Sequence, residues 1–413
     1  MSLAASQLRS ARDALHSGNT SRSASRRRAK RVSSAAERTH VRGEPNIEQR
    51  IVALDVFRGL ATAAMLLVTN PGDSEHVYAP LKHAGWQGWT PTDLIFPSFL
   101  FIVGASMVLS FRKRRELGDG PAALLVHVIK RCVFLYAISL LIVCIPSLID
   151  GQRPPFETIR ILGVLPRIAL CYLVAAPVVM FTRPRTWAVV TGALLLGYWV
   201  VMTRVPVPHH GAGLLDSKEW NLAAYLDRMM LGQHLGEGGA KAWDPEGILS
   251  TVPAIGTTLL GAFTGHYLHA WRPAVEKTAG MFVAGAALMV LGLWWNHLFP
   301  INKSLWSSSY VLFCAGFALE TLAFVHFVID VRGHRGWARP FVILGARPLT
   351  ALILSAVGGA LLQELHLHEP IYRSLFASWA SPNVASLAFA MGIVLLWFAV
   401  VAILHRKRLF LRL

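Results

Sequence analysis

The residues best suited to chemistry lie between the first and second apolar runs of the chain. His83 stands in the segment Lys82-His83-Ala84-Gly85-Trp86, and Asp93 opens the second run. Histidine side chains titrate near neutral pH and serve as general bases, and a carboxylate can orient such an imidazole as the third group of a relay. The alternative is an exposed loop histidine, with Asp93 as the N-cap of a helix.

Charged residues at the edges of apolar runs form a second group of candidates. Asp55 and Arg58 share a helix face, where they form a structural ion pair or leave Arg58 to face a phosphate-bearing ligand. Arg167, at the start of the fourth run, either reaches the membrane interface or lines a polar cavity. Asp244 precedes the sixth run, where an acidic residue favours a helix N-terminus.

Aromatic and metal-ligating residue types also allow two interpretations. Trp86 and other tryptophans lie in or beside polar segments, where tryptophan anchors a membrane interface or stacks on a sugar ring. His366, His368 and Glu369 lack a specific ligand spacing, and we predict no metal site. The four cysteines lie inside apolar runs, so we interpret them as small core hydrophobes.

These residues belong to a chain that is too apolar for a water-soluble protein. Hydrophobic residues make up 54% of its 413 residues and charged residues 15%, whereas soluble proteins carry roughly 25% charged residues. This composition excludes disordered, collagen-like and disulfide-framed proteins. Because one membrane helix takes about 20 apolar residues, we predict an all-α, polytopic membrane helix bundle with about ten spans. The runs are 51–69, 93–111, 131–149, 164–181, 187–203, 248–268, 278–298, 308–329, 341–362 and 384–404.

The placement of positive charge predicts the orientation of this bundle. The net charge is +17, from 40 Lys and Arg against 23 Asp and Glu. With the N-terminus inside, most Lys and Arg outside the spans fall in the inside loops and tails, as the positive-inside rule requires. We therefore predict that both termini are cytoplasmic and that His83 lies on the opposite side. Membrane anchoring explains the charge, so we predict no nucleic-acid partner.

Residues 1–50 form a separate region by composition. They are rich in Ser, Ala and Arg, include the run Arg26-Arg27-Arg28-Ala29-Lys30-Arg31, and lack the apolar core of a secretory signal. We predict a disordered, basic cytoplasmic tail held near anionic lipid, with an organelle transit peptide as the alternative. In the longest polar segment, 204–247, residues 221–231 are amphipathic and predict a helix.

Several of these segments, in this order, resemble the heparan-α-glucosaminide N-acetyltransferase family. No single motif is decisive, but the ordered combination, which spans roughly residues 51–410, is specific. The sequence departs from the expected pattern at Pro166 and at Ala346-Arg347. It shows no large domain before the first span, so we expect a bacterial form in the inner membrane. The matching segments are 55–59, Asn70, 82–88, 93–97, 163–167, 225–228, 244–249 and 300–307.

The resemblance implies a transmembrane acyltransferase domain over residues 51–413. Such enzymes take acetyl from cytosolic acetyl-CoA and deliver it to an amino sugar or related glycan across the membrane. The resemblance makes His83 the active-site histidine, with Asn70 near it, and suggests a homodimer. Asp93 matches a family position, and its role as the orienting group follows from the residue pattern given above. The residues expected to bind acetyl-CoA are Arg58, Arg167, Lys130, Arg131 and Arg347. Those expected to bind the acceptor are Asp227, Arg228, Asp244, Lys303 and Trp86.

Two other classes of function stay open. Intramembrane charges and Gly or Pro breaks in helices also mark the substrate paths of transporters, which predicts solute uptake independent of acetyl-CoA. A non-catalytic membrane scaffold would instead depend on the basic tail and tolerate loss of His83.

Overall fold

The computed structural model describes residues 51–149, 151–154, 156–236 and 242–407. Regular structure in these ranges is helical, so the expected all-α fold is confirmed. The predicted tail, residues 1–50, lies outside the described residues. The helices are α1 Val52–Thr69, α2 Ile95–Glu116, α3 Pro121–Ile149, α4 Val164–Phe181, α5 Pro184–Arg204, α6 Leu222–Leu231, α7 Ile248–His269, α8 Ala274–Trp295, α9 Ser308–His326, α10 Arg339–Gly345, α11 Pro348–Glu364, α12 His368–Tyr372 and α13 Pro382–Arg406.

The helices agree with the predicted spans except at two places. Nine helical segments of the described chain are long and apolar enough to cross a membrane, and the helices on either side of residues 346–347 form a further pair bent by 69°. The ninth predicted run, 341–362, contains this bend, because Arg347 precedes Pro348 and leaves the helical conformation. The third helix begins at Pro121, ten residues before the prediction, because proline is well suited to a first helical turn.

Glycines allow the central helices to approach closely. A Cβ atom on Gly104 of α2 would collide with the carbonyl oxygen of Thr258 in α7, and one on Gly345 of α10 would collide with that of Asp55 in α1. Small residues at such crossings are the common way to pack helices in a bilayer. These contacts fix α1, α2, α7 and α10 as the frame from which the polar segments extend.

The polar segments that carry the candidate residues lie at one end of the bundle. They follow α1, α3, α5 and α8, alternate spans that run in the same direction. Hydrogen bonds connect them, since Gly88 N donates to Ile301 O at 2.8 Å and Trp86 Nε1 donates to Leu215 O at 2.9 Å. The predicted helix at 221–231 is confirmed as α6, and the Asn221 side chain caps it.

Candidate functional site

His83, Asp93 and Lys303 meet at this end of the bundle. His83 Nδ1 lies 2.6 Å from Asp93 Oδ1, and Lys303 Nζ lies 3.0 Å from the same ring nitrogen. The side chain of His83 is 58% exposed, whereas that of Asp93 is 1% exposed. A buried carboxylate thus holds an accessible imidazole, as a proton-transfer centre requires.

The pairing with Asp93 decides which ring atom of His83 is available. When Nδ1 donates its hydrogen to the carboxylate, Nε2 carries the lone pair that accepts a proton or an acyl group. Lys303 Nζ lies 3.3 Å from this Nε2. Burial lowers the pKa of Lys303, and the charge of Asp93 offsets only part of that effect. The centre therefore combines a base, an orienting carboxylate and a largely buried amine, whose Nζ lies 3.5 Å from Asp93 Oδ1.

Asp93 is fixed by its own helical turn. Its Oδ2 accepts hydrogen bonds from Ala84 N at 3.0 Å and from both the backbone N and the hydroxyl of Thr90 at 3.1 Å. The interpretation of Asp93 as an N-cap is wrong, because Thr90 caps the turn and Asp93 stands three residues later in a capping box. The Thr-x-x-Asp spacing was the sequence signal for Thr90. On its other side, Tyr310 OH donates to the carbonyl oxygen of Asp93 at 2.5 Å.

Lys303 belongs to a tight segment between α8 and α9. Asn302 N donates to Ser307 Oγ at 3.0 Å, and Asn302 Nδ2 lies 3.4 Å from Gln87 Oε1. The backbone N of Trp306 donates to Lys303 O at 3.1 Å and closes a turn. These bonds connect the segment of Lys303 directly to the segment of His83.

Trp86 provides an aromatic surface in the segment of His83. Its ring is half-buried and meets the edge of Trp243 at a centroid distance of 5.3 Å. Lys218 Nζ lies 5.9 Å from the centroid of the same ring. Aromatic rings with a polar rim are suited to stacking on a sugar, so the expected role of Trp86 in acceptor binding stays a prediction that this geometry favours.

The two aspartates expected to bind the acceptor are engaged inside the protein. Asp244 accepts two hydrogen bonds from Arg160, at 2.6 and 3.1 Å, and Glu246 accepts a third at 2.5 Å. Burial lowers the pKa of Arg160, but these acidic partners outweigh burial and hold it above its usual value. Asp227 Oδ1 accepts from Ile248 N at 2.9 Å at the start of α7. Both carboxylates therefore stabilise the polar segments through hydrogen bonds inside the protein.

Arg228 is also engaged by the protein. Its Nη1 donates to Glu219 O and Ala242 O at 2.5 Å, and its guanidinium lies 5.4 Å from the ring centroid of Trp220. These contacts connect the residues just before α6 to residue 242 after it, beside the exposed Trp220.

Asn70 lies at the end of α1 and lines a cavity of about 1200 Å³ between α1, α3, α11 and α13. Its Nδ2 donates to Leu66 O at 2.8 Å and to Ser355 Oγ at 3.0 Å. Within the described ranges no hydrogen bond joins it to His83. The cavity extends along α11 from Leu349 to Leu365, which at 1.5 Å per residue is about 25 Å and most of the thickness of a bilayer core.

The basic residues expected to bind acetyl-CoA lie at different levels. Arg58 pairs with Asp55 at 3.2 Å and donates to Gly345 O and Ser106 Oγ at 3.1 and 2.6 Å, which confirms the predicted ion pair and shows that Arg58 fixes α1 against the break between α10 and α11. Arg347 lies in that break.

Two other residues of that set are placed differently from the prediction. Lys130 and Arg131 lie within α3 rather than at the edge of a loop, and the guanidinium of Arg131 lies 5.0 Å from the ring centroid of Tyr172.

Arg167 is fully buried in the first turn of α4, at the end that carries His83, where its Nη2 donates to Gly247 O and Ser250 Oγ. It is therefore far along the bundle from the break at Arg347.

The sequence suggested no metal, and within the described ranges no cluster of three or more His, Cys, Asp and Glu residues is arranged to hold one. His366, His368 and Glu369 do not form such a cluster there.

The fold and this cluster define a polytopic helical membrane protein with a histidine–aspartate centre at one end of the bundle. A family model described as heparan-α-glucosaminide N-acetyltransferase, catalytic, matches residues 50–294, and the chain belongs to this family. The match contains His83 and Asp93, whereas Lys303 follows it. The resemblance seen in the motifs is thereby confirmed.

Curated relatives support the same assignment. The chain is 30% identical over 414 residues to the heparan-α-glucosaminide N-acetyltransferase of Homo sapiens and 29% identical over 417 residues to that of Mus musculus. Each alignment covers 87% of this chain. The chain spans 59% and 60% of the lengths of these two relatives.

Proposed function

We propose that this protein is a membrane acetyltransferase that moves acetyl from cytosolic acetyl-CoA to an amino sugar or related glycan on the other side of a bacterial inner membrane. The observation that carries the proposal is the accessible imidazole of His83 on the buried carboxylate of Asp93, within the region that matches the family's catalytic model. The relatives that share this region are named as N-acetyltransferases.

His83 performs the proton transfer or carries the acetyl group. In the direct route, Nε2 removes a proton from the acceptor amine as its nitrogen attacks the thioester carbonyl, the carbon–sulfur bond breaks, and the thiolate of CoA takes up a proton. In the two-step route, Nε2 attacks the thioester carbonyl and the carbon–sulfur bond breaks, which releases CoA thiolate and leaves acetyl-histidine. The acceptor amine then attacks the acetyl group, the carbon–Nε2 bond breaks, and the freed Nε2 takes up the proton of the amine. Asp93 holds the ring in the productive tautomer in both routes.

The cavity beside Asn70 is suited to the donor. Its lining is mainly aliphatic along α11 and α13 and includes the polar Ser355 and Gln363, which suits the slender, uncharged pantetheine arm of a CoA thioester with its methylene groups and two amides. Its length spans most of the membrane core. Asn70 lies at the end near the polar segments. Its amide reaches the oxyanion that develops on the acetyl group by exchanging its hydrogen bond to Ser355 Oγ for one to the substrate, an interaction that contributes about 3 kcal/mol elsewhere. Arg347, Lys130 and Arg131 remain the basic residues proposed for the phosphates.

The acceptor approaches from the exposed side of His83. We place the sugar ring on Trp86, with Lys303 beside the reacting nitrogen. Because Asp227, Asp244 and Arg228 are engaged by protein groups, we assign them to holding the polar segments in which this acceptor surface is formed.

The test uses detergent-purified protein and acetyl-CoA labelled in the acetyl group, with and without glucosamine. We expect acceptor-dependent release of CoA thiol, abolished by His83→Ala while acetyl-CoA still binds. The matched control is His76→Ala, since His76 is also exposed, also pairs with an aspartate at 2.7 Å, and belongs to the same polar segment. Its activity should equal that of the wild type.

The remaining outcomes separate the alternatives. Label that stays on the protein without acceptor identifies the acetyl-histidine route. Absence of acetyl-CoA binding, together with solute uptake by reconstituted vesicles, would contradict the proposal in favour of a transporter. Equal loss of activity in the His83 and His76 variants would contradict the role of His83.

A further inference from the structure

Arg167 is a charged residue that the proposed mechanism does not use. Its side chain is fully buried, its Nη2 donates to Gly247 O at 3.2 Å and to Ser250 Oγ at 2.5 Å, and its Nε and Nη1 have no hydrogen-bond partner among the described residues. A buried guanidinium with unused donors lowers stability, and apolar replacements of buried ions are often neutral or stabilising. The position therefore needs an explanation other than stability.

The guanidinium group of Arg167 packs against the ring of Trp306. The guanidinium carbon lies 5.0 Å from the ring centroid of Trp306, which is itself fully buried. The backbone of Trp306 has a φ of 51°, a left-handed conformation that is unfavourable for a bulky residue. Such a conformation persists only where the surroundings fix the side chain. Arg167 lies on one side of this ring, Phe96 and Tyr310 are in edge contact at 5.1 and 5.3 Å, and Nε1 donates to Thr257 Oγ1 at 3.1 Å. Together these contacts fix the ring.

Trp306 in turn connects to both partners of His83. Its backbone N closes the turn that begins at Lys303. Tyr310, in contact with its ring, holds the carbonyl oxygen of Asp93, and Phe96 lies three residues after Asp93 in the chain. Displacement of this ring would therefore move Lys303 relative to the carboxylate of Asp93.

We propose that Arg167 is a positioning residue that holds Lys303 against His83 by fixing the ring of Trp306. The inference rests on the proposed function only for its effect on rate, since the position of Lys303 is measurable without acetyl transfer. It replaces the expectation that Arg167 binds acetyl-CoA.

The first test measures the acylation of Lys303 by trace acetic anhydride as a function of pH, read by mass spectrometry, in the wild type, Arg167→Met and Arg167→Lys. Besides His83, the charged groups that act on Lys303 are Asp93, Glu246 and Arg167, and burial lowers its pKa. Release of Lys303 into solvent should therefore move the midpoint up towards about 10.4 in both variants. The exposed Lys218 is the internal control and should not move.

The two variants separate position from charge. Arg167→Lys keeps the charge but loses the planar group that lies on the ring. A midpoint that shifts in Arg167→Met but not in Arg167→Lys would show action through the charge alone and would overturn the proposal. An unshifted midpoint in both would also overturn it. If Arg167→Met does not fold, Arg167→Lys decides.

The second test is kinetic. We expect Arg167→Lys to lower kcat at least about tenfold with a KM for acetyl-CoA within about threefold of the wild type, and to add no further loss to Lys303→Met. A raised KM for acetyl-CoA, or losses that add in the double variant, would overturn the proposal. If the wild type transfers no acetyl group, the proposed function fails, and the acylation test still decides the role of Arg167.

Discussion

Asp93 serves two neighbours with its two carboxylate oxygens. One oxygen holds His83, and the other accepts the backbone and hydroxyl hydrogens of Thr90. An amide at this position keeps one acceptor but presents its NH₂ group either to the imidazole or to the capped turn. Orientation of the ring and integrity of the turn thus depend on the same charge.

Asp93→Asn should therefore lower kcat by about 10²- to 10⁴-fold, because the imidazole loses the carboxylate that sets its tautomer. The KM for acetyl-CoA should stay unchanged. The measurement is thiol release at saturating donor, and the matched control is Glu75→Gln, at an exposed position of the same polar segment. Comparable activity in the two variants would contradict the assignment of Asp93.

At this scale the sequence predicted the members of the centre better than their contacts. His83 and Asp93 lie ten residues apart, so one motif contained both. Lys303 follows 220 residues after His83, and its contact depends on a turn at Trp306 that no local pattern specifies. The contact of Asp244 could not be predicted, because an acidic residue in a polar segment serves an amino sugar or an arginine equally well, and the arginine it bonds, Arg160, lies 84 residues away.

At the scale of elements, the lengths of the apolar runs predicted the spans. Both differences between the predicted runs and the helices lie at prolines. Lys130 and Arg131 lie near the centre of the third helix, and these charges led to a predicted start ten residues too late, although Pro121 marks its first turn. The pair Arg347-Pro348 marks the break in the ninth run, but total hydropathy is insensitive to one pair of residues. The break is relevant to function because the large cavity follows the helix that begins there.

The junction between α6 and α7 gives a prediction for stability. Burial raises the pKa of Asp227 to about 6, from 3.8. Because the protonated carboxyl group is favoured in the folded state, the raised pKa contributes about 2–3 kcal/mol to the free energy of unfolding below about pH 4. This contribution is lost as the pH rises through about 6. In Asp227→Asn the melting temperature should no longer fall between pH 4.5 and pH 7 for this reason.

The control for this measurement is Glu219→Gln, at an exposed position of the same polar segment, which should keep the wild-type pH dependence. The prediction is contradicted if the melting temperature of the wild type does not fall, relative to that of Asp227→Asn, between pH 4.5 and pH 7. Ionisation of Asp227 would then not lower the stability of the fold, contrary to the buried position of its carboxylate.

At the scale of the whole molecule, the charge distribution predicts that His83 and the termini lie on opposite sides of the membrane. Gly85 and Gly120 form a matched pair for testing this, because both are exposed and a Cβ at either would meet no atom within 4 Å. In intact cells a membrane-impermeant maleimide should label Gly85→Cys and leave Gly120→Cys unlabelled until the cells are broken. The reverse pattern would invert the orientation. The predicted homodimer is a separate matter, to be decided by the mass of the protein in detergent.

The cavity runs along α11, and its occupancy is the last prediction. Gly359 of α11 lies in its wall, where the nearest atom to an added Cβ is Asn70 Oδ1 at 3.8 Å, so a leucine side chain there enters the cavity without a collision at its first atom. If the cavity takes the donor, Gly359→Leu should raise the KM for acetyl-CoA at least about tenfold, because the added side chain displaces part of the pantetheine arm near Asn70.

The matched control is Gly197→Leu on α5, where an added Cβ meets no atom within 4 Å. Each variant replaces a glycine of a helix with leucine, so any effect of this replacement on folding is common to both variants and cancels in the comparison. The pH dependence of Lys303 acylation should stay that of the wild type in both, since neither residue belongs to the segments that hold it. An unchanged KM for acetyl-CoA in Gly359→Leu would place the donor outside this cavity, and Asn70 would then lose its proposed part in the reaction.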